Sequence, residues 1–181
     1  MDVNQLSENM QKILLKAIEK AKNYQHVSVD TLEFLEAIFE DNTLDGLFKR
    51  VSLDKEKVFE ILRDENTHIA RTSYRDITLS NKVQESFMNA KKWSDEHDES
   101  YISVFSVLLA LLKNKSSISQ RVVSECHIDL KKLENYQNNQ PVYEAIISAL
   151  QAAVSEQVYD SPKAFMPVLI KALANATADK K

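Results

Sequence analysis

Apolar residues recur at three- and four-residue spacing from near the start of the chain, where Met10, Ile13, Leu14, Ala17, Ile18 and Ala21 form one stripe behind Ser7. A serine in that place accepts hydrogen bonds from the first free amides of a helix, so the pattern predicts a helix capped by Ser7 and ending near residues 24–26. A second helix follows Asp30 or Thr31 as cap. Its residues Leu32, Phe34, Leu35, Ala37, Ile38 and Phe39 are apolar almost all round, which leaves no face for water and predicts a central position. Asp41, Asn42 and Thr43 read as a turn, residues 44–51 as a short helix around Gly46, and Asp54 as the cap of a fourth helix carrying Val58, Phe59, Ile61 and Leu62.

The same order returns later in the chain. At an offset of 73 residues Leu6 and Ser7 fall on Leu79 and Ser80, Gln11 on Gln84, Leu14 on Phe87 and Ala17 on Ala90. The helix predicted to be central repeats as well, with Val29 on Ile102, Phe34 on Val107, Leu35 on Leu108 and Ile38 on Leu111. After a two-residue insertion near Ser116 the offset becomes 75, and Leu53 and Asp54 fall on Ile128 and Asp129. Two copies of a four-helix unit therefore fill residues 1–65 and 78–136, joined by a polar linker over 66–77. A unit of about 60 residues buries little surface and is marginal alone, so the copies are expected to share one domain, 1–136.

Beyond that domain, over 137–181, the pattern changes. Pro141 suits a first helical turn, and Val142, Ile146, Ala149, Leu150, Ala153 and Val154 make one apolar stripe. Asp160, Ser161 and Pro162 break it, and a last helix opening near Met166 and Pro167 completes an expected hairpin. The fold class is all-α: two pseudo-symmetric four-helix repeats plus a C-terminal helical hairpin.

Composition supports this by exclusion. Gly46 is the one glycine in 181 residues. Phosphate-cradling loops, dinucleotide turns and nucleophile elbows each need at least two glycines close together, so none can be written here. Architectures that need repeated positive φ lose support for the same reason. A net charge of −4 over a mixed surface provides no clustered cations for nucleic acid or anionic lipid. No apolar run reaches a membrane span and the first residues lack the features of a signal peptide, so a cytoplasmic protein is expected. Cys126 has no second cysteine to pair with and is expected as a small buried hydrophobe. His26, His68, His97 and His127 lack the spacing of a helical metal site, and no metal or cofactor is expected. The run Asp95, Glu96, His97, Asp98 and Glu99 lacks the central glycine of a calcium loop and reads as a solvated helix end.

The doubled order resembles the N-terminal domain of Clp ATPases, the unfoldases and disaggregases of the ClpA, ClpB and ClpC kind. The resemblance covers residues 1 to about 136. It is carried by Leu6, Ser7, Glu8, Gln11 and Ala17, by His26 ahead of Val29, Asp30 and Thr31, and by the run from Phe34 to Phe39. In the second copy Tyr101, Ile102 and Ser103, followed by Val107, Leu108, Leu109, Ala110, Leu111 and Leu112, are similar to the family's Y-I-G-T-E-H-L-L-L-A-L-L run. The resemblance implies a non-catalytic module that receives unfolded or partly folded polypeptides or adaptor proteins for an attached ATPase. No glycine follows residue 136, so the expectation is either an N-domain fragment or a stand-alone relative acting in trans. Two other readings are a regulator that docks on a Clp protease core or ATPase, and a helical enzyme with a pocket between repeats and hairpin.

The candidate binding residues are Ser7, Leu32, Glu33, Ser80 and Phe105. The resemblance implies phosphorylated-arginine recognition by an acidic residue in each copy, but those slots hold Leu32 and Phe105, which cannot accept hydrogen bonds from a guanidinium. Glu33 stands one position later. Leu32 and Phe105, if they face outward, turn a charged recognition site into an apolar one. Ser7 and Ser80 are explained as repeated caps worth about 1 kcal/mol each, and the resemblance adds a link between the first of these places and substrate handling. Trp93 falls on Lys20 of the first copy and reads either as a residue packed under the linker or C-terminal segment or as an exposed anchor.

Overall fold

A computed structural model describes residues 2–72 and 77–135, together with Ile170. The expected C-terminal hairpin and residues 73–76 of the linker lie outside the described residues. The chain divides into two units after Leu130. The first unit is built from α1 (Glu8–Tyr24), β1 (Ser28–Val29), α2 (Thr31–Glu40), α3 (Asp45–Arg50), α4 (Lys55–His68), β2 (Thr78–Leu79), α5 (Asn81–Glu96), α6 (Val104–Lys113) and α7 (Ser117–Glu125). Residues 130–135 are again helical.

The predicted caps are in place. Ser7 Oγ accepts from Met10 N at 3.3 Å and Ser80 Oγ from Val83 N at 3.3 Å. Asp54 accepts from Glu56 N and Lys57 N. Each cap satisfies amides that have no carbonyl to reach inside the helix. Gln11 and Gln84 turn back to the carbonyls of Leu6 and Leu79, at 3.0 and 2.9 Å, so the copies agree down to a side-chain hydrogen bond.

α1 packs on α2 and α5 on α6, while α2 and α6 meet between the two halves. α6 is buried from Val104 to Leu112, and α2 at every position except Glu36 and Glu40, as the all-round apolar pattern requires. Phe34 of α2 meets Phe87 of α5 edge-on, with ring centroids 5.4 Å apart, which ties the core of one copy into the other.

The halves also exchange backbone. β1 pairs in parallel with β2, Val29 opposite Leu79, and Leu6 bridges Ile102 in the same sense. At the offset of 73 these are one pairing made twice: the segment before the first helix of each copy lies against the segment before the second helix of the other. Ser80 N donates to Val29 O at 3.0 Å, and Ser7 N donates to Ile102 O at 3.1 Å.

One expectation from composition is corrected. Four described non-glycine residues have positive φ, Gln25 (60°), Ser52 (54°), Asp98 (54°) and His127 (52°). They form two equivalent pairs at the offsets of 73 and 75, each just past a helix. His26 N reaches Ala21 O and Glu99 N reaches Ser94 O, both at 2.9 Å, the left-handed closure that satisfies the last carbonyls of a helix. The fold needs repeated positive φ and meets the need without glycine, because these closing hydrogen bonds offset a steric cost of about 1 kcal/mol per residue.

Candidate functional site

Where the two exchanged segments meet the helices they precede, the surface opens into a groove of about 630 Å³. Leu79, Phe87, Met88 and Ile102 supply its apolar wall, and Gln5, Gln84 and Lys91 stand at its polar edge. Ile102 and Phe87 are buried, at 2% and 4% exposure, whereas Met88 is 67% exposed. Leu15, its equivalent in the first copy, is 68% exposed. The offset places Leu15 beside Leu14 as it places Met88 beside Phe87. In each doublet the first residue enters the core and the second faces water, since neighbours on a helix point about 100° apart. The doublets were visible in the sequence, yet an apolar stripe alone does not say which member lies outside it.

The five candidate residues separate into two groups. Ser7 and Ser80 are half-buried at the seam, engaged in capping and in the exchanged backbone pairing. Leu32, Glu33 and Phe105 are buried, at 1%, 0% and 4% exposure. Leu32 and Phe105 do not face outward, because α2 and α6 are enclosed from their first turns, and so they form no apolar docking face. Phe105 lies under Trp93, edge-on with centroids 5.4 Å apart. Trp93 is half-buried and stacks on His97 at 3.8 Å. In the first copy the equivalent Lys20 is ion-paired with Glu36 and Glu40, so a charge cluster stands where the second copy has aromatic rings.

Glu33 closes the capping box of α2: Asp30 N donates to its Oε2 at 2.7 Å, and His26 Nδ1 lies against its Oε1. Burial pushes the Glu33 carboxyl above the usual carboxylate range, against hydrogen bonds from His26 and the Asp30 amide that pull it down. Tyr24 packs against His26 and donates to Glu36 at 2.8 Å, and its hydroxyl is pushed up by burial and by Glu36. Sequence reasoning missed the His26–Glu33 pair, although both residues were singled out separately.

The remaining chemical candidates are quiet. Cys126 is half-buried rather than buried, and burial pushes its thiol up, away from the reactive thiolate. His97 is exposed at the end of α5, where Lys91 pairs with Asp95 and Lys92 with Glu96. Among the described residues no group of His, Cys, Asp and Glu has the geometry to hold a metal ion, and no helix is long and apolar enough to cross a membrane.

Comparison with known proteins bears on the duplicated architecture. The profile of the Clp repeat (R) N-terminal domain matches residues 5–104 and, a second time, residues 78–178. The chain belongs to the Clp repeat N-terminal domain family. Among curated relatives, the chaperone protein ClpB of Bacillus cereus is 27% identical over 155 residues, a match covering 78% of this chain and 18% of that protein. ClpB of Bacillus anthracis matches at the same identity and coverage. This Clp repeat chain thus spans under a fifth of the length of those relatives. Among solved structures, the Hsp104 N-terminal domain from Candida albicans superimposes with a TM-score of 0.65 at 22% identity, covering 72% of this chain and 87% of that one. The ClpV N-domain in complex with a VipB peptide gives a TM-score of 0.60 at 15% identity, covering 74% and 85%. At these identities the likeness establishes the Clp N-domain fold.

Proposed function

We propose that this chain is a non-catalytic protein-binding module of a Clp chaperone or protease system, working in the cytoplasm and receiving substrate polypeptides or adaptor proteins. The carrying observation is the seam groove: an apolar channel with an exposed methionine on its wall, built where the two repeats exchange backbone. An apolar groove with polar edges suits an extended or helical segment whose side chains enter the channel while its backbone stays near water. The ClpV N-domain, of the same fold, is known in complex with a peptide, which supports the reading. Met88 makes the contact in this scheme. Ser80 caps α5, the helix that carries Phe87 and Met88, and Ser7 donates to the Ile102 carbonyl beside the groove, whereas Leu32, Glu33 and Phe105 do not line it.

The test is a fluorescence-anisotropy titration of the full chain with a labelled peptide of alternating leucine and serine. Saturable binding is expected, weakened about tenfold by Met88→Asp, which places a charge on the apolar wall. Absence of saturation, or a Met88→Asp variant that binds as well as the parent, would overturn the reading. Tight binding or hydrolysis of ATP would equally count against a non-catalytic module.

A further inference from the structure

The groove between the first two helices of each copy does not repeat. In the first copy it is crossed by ion pairs: Lys16 Nζ lies 3.8 Å from Asp41 Oδ2, and Lys20 Nζ lies 3.5 Å from Glu36 Oε1 and 2.7 Å from Glu40 Oε1. At the offset of 73 residues, Asn89 and Trp93 replace the two lysines, and Leu109, Lys113 and Asn114 replace the three acids. None of those ion pairs can form between α5 and α6. Asn114 turns instead to α5, donating to Lys82 O at 3.1 Å and to Ser86 Oγ at 3.0 Å. Beyond that bridge the groove is open, with a volume of about 450 Å³.

Its floor is apolar and its rim is charged. Leu109 and Ala110 are buried beneath it, and Trp93, half-buried, forms an aromatic wall. Trp93 is the one tryptophan of the chain, and its ring is held by stacking on His97 and by edge-on contact with Phe105. A ring fixed in advance loses little freedom when a partner's side chain packs on it, which is the property of a binding anchor. On the rim Lys92, Lys113 and Lys115 outnumber Glu85 and Glu96, and Glu96 is paired with Lys92 of its own helix at 3.8 Å. The α6 side of the rim carries Lys113 and Lys115, where the α2 side in the first copy carries Glu36, Glu40 and Asp41.

The walls select the shape of an occupant. Both are helices whose amides and carbonyls bond within each helix, so the groove has no strand edge to which an extended segment could add. A helix brings its own backbone hydrogen bonds and needs only side-chain contact. The α5 wall, from Glu85 to Glu96, rises about 16 Å, which is three turns of a helix at 1.5 Å per residue.

We propose that the groove between α5 and α6 docks an amphipathic helix of a partner protein, with its apolar stripe on Trp93, Leu109 and Ala110 and an acidic flank against Lys113 and Lys115. No residue lines both this groove and the seam groove, so the two readings are tested separately. Trp93 emission reports occupancy, at fixed pH because His97 stacks on the ring. The full chain is titrated with a tryptophan-free helical peptide of about 18 residues, leucines along one stripe and glutamates on one flank, and with a second peptide in which lysines replace those glutamates. The glutamate peptide is expected to change the emission saturably and to bind about tenfold more tightly than the lysine peptide. A net charge of −4 favours the lysine peptide at long range, so the opposite preference is a property of the groove. Lys115→Glu, at an exposed side chain, is expected to weaken binding of the glutamate peptide about fivefold, whereas Met88→Asp leaves it unchanged. Emission that does not saturate, equal affinity for the two peptides, or undiminished binding by Lys115→Glu would overturn the proposal. Loss of the signal in Met88→Asp would overturn it as well, by placing the peptide in the seam groove.

Discussion

Ser80 donates its hydroxyl to Asp30 at 3.0 Å, so the cap of α5 is bonded directly to the cap of α2, fifty residues earlier in the chain. The equivalent pair in the other half is Ser7 and Ser103. There the Ser103 hydroxyl lies 3.1 Å from Glu99 within its own copy. The two seams are thus alike in backbone and different in side-chain bonding. Ser7→Ala is expected to cost about 1 kcal/mol as a lost cap, and Ser80→Ala about 2 kcal/mol, since it also deprives Asp30 of a donor. Urea denaturation measures both, and equal losses would show that the Ser80–Asp30 bond adds nothing.

The glycine stands where it is not needed. Gly46 lies inside α3, its φ is not positive, and an added Cβ would meet no atom within 4 Å. Gly46→Ala is therefore expected to raise stability by about 0.5–1 kcal/mol through reduced freedom of the unfolded chain. Gln25, at φ 60°, is the opposite case: Gln25→Gly should be neutral or stabilising, whereas Gln25→Val should destabilise by at least about 1 kcal/mol. Thermal melts of the three variants check the signs, and a destabilised Gly46→Ala would contradict the open surroundings of that position.

Glu33 makes stability depend on pH in a definite direction. Its folded-state carboxyl is raised above the ordinary value of 4.5, first by burial, so the folded protein keeps this proton to higher pH than the unfolded chain does. The contribution is complete below the unfolded value and is lost as pH rises through the folded one. Glu33→Gln keeps the shape and removes the titration. The melting temperature of the parent minus that of Glu33→Gln should accordingly fall as pH is raised from 4 upward, and a difference that stays flat or grows would refute the assignment.

Arg121 joins α7 to α4. Its guanidinium bonds Asp64 and Glu65 as well as Glu125 of its own helix, and the bond from Arg121 holds the Asp64 carboxyl below the usual range. Charges this open to water are screened, with a Debye length of about 10 Å at 0.1 M salt and about 3 Å at 1 M. Arg121→Ala should lower the melting temperature in dilute buffer, with most of the loss disappearing in concentrated sodium chloride. A salt-independent loss would mean that the stem of Arg121 matters by packing rather than by charge.

The helices, their caps and the duplication were legible from the chain because each depends on residues close in sequence. Ser7 and Ser80 cap amides three positions away, and the stripes of α1 and α5 repeat over three or four residues. The burial of α2 and α6 was legible too, since a helix with no polar face has only one stable place. Tertiary structure decided the rest. Which segment pairs with Leu6 or with Val29 depends on partners 96 and 50 positions away, and no local pattern encodes that choice. The inward turn of Leu32 and Phe105, the outward turn of Leu15 and Met88, and the meeting of His26 with Glu33 follow from how the two copies enclose each other. Local hydrogen bonding and periodicity specify elements. The faces those elements bury, and the polar atoms left without partners, are determined only when the elements compete for the same core.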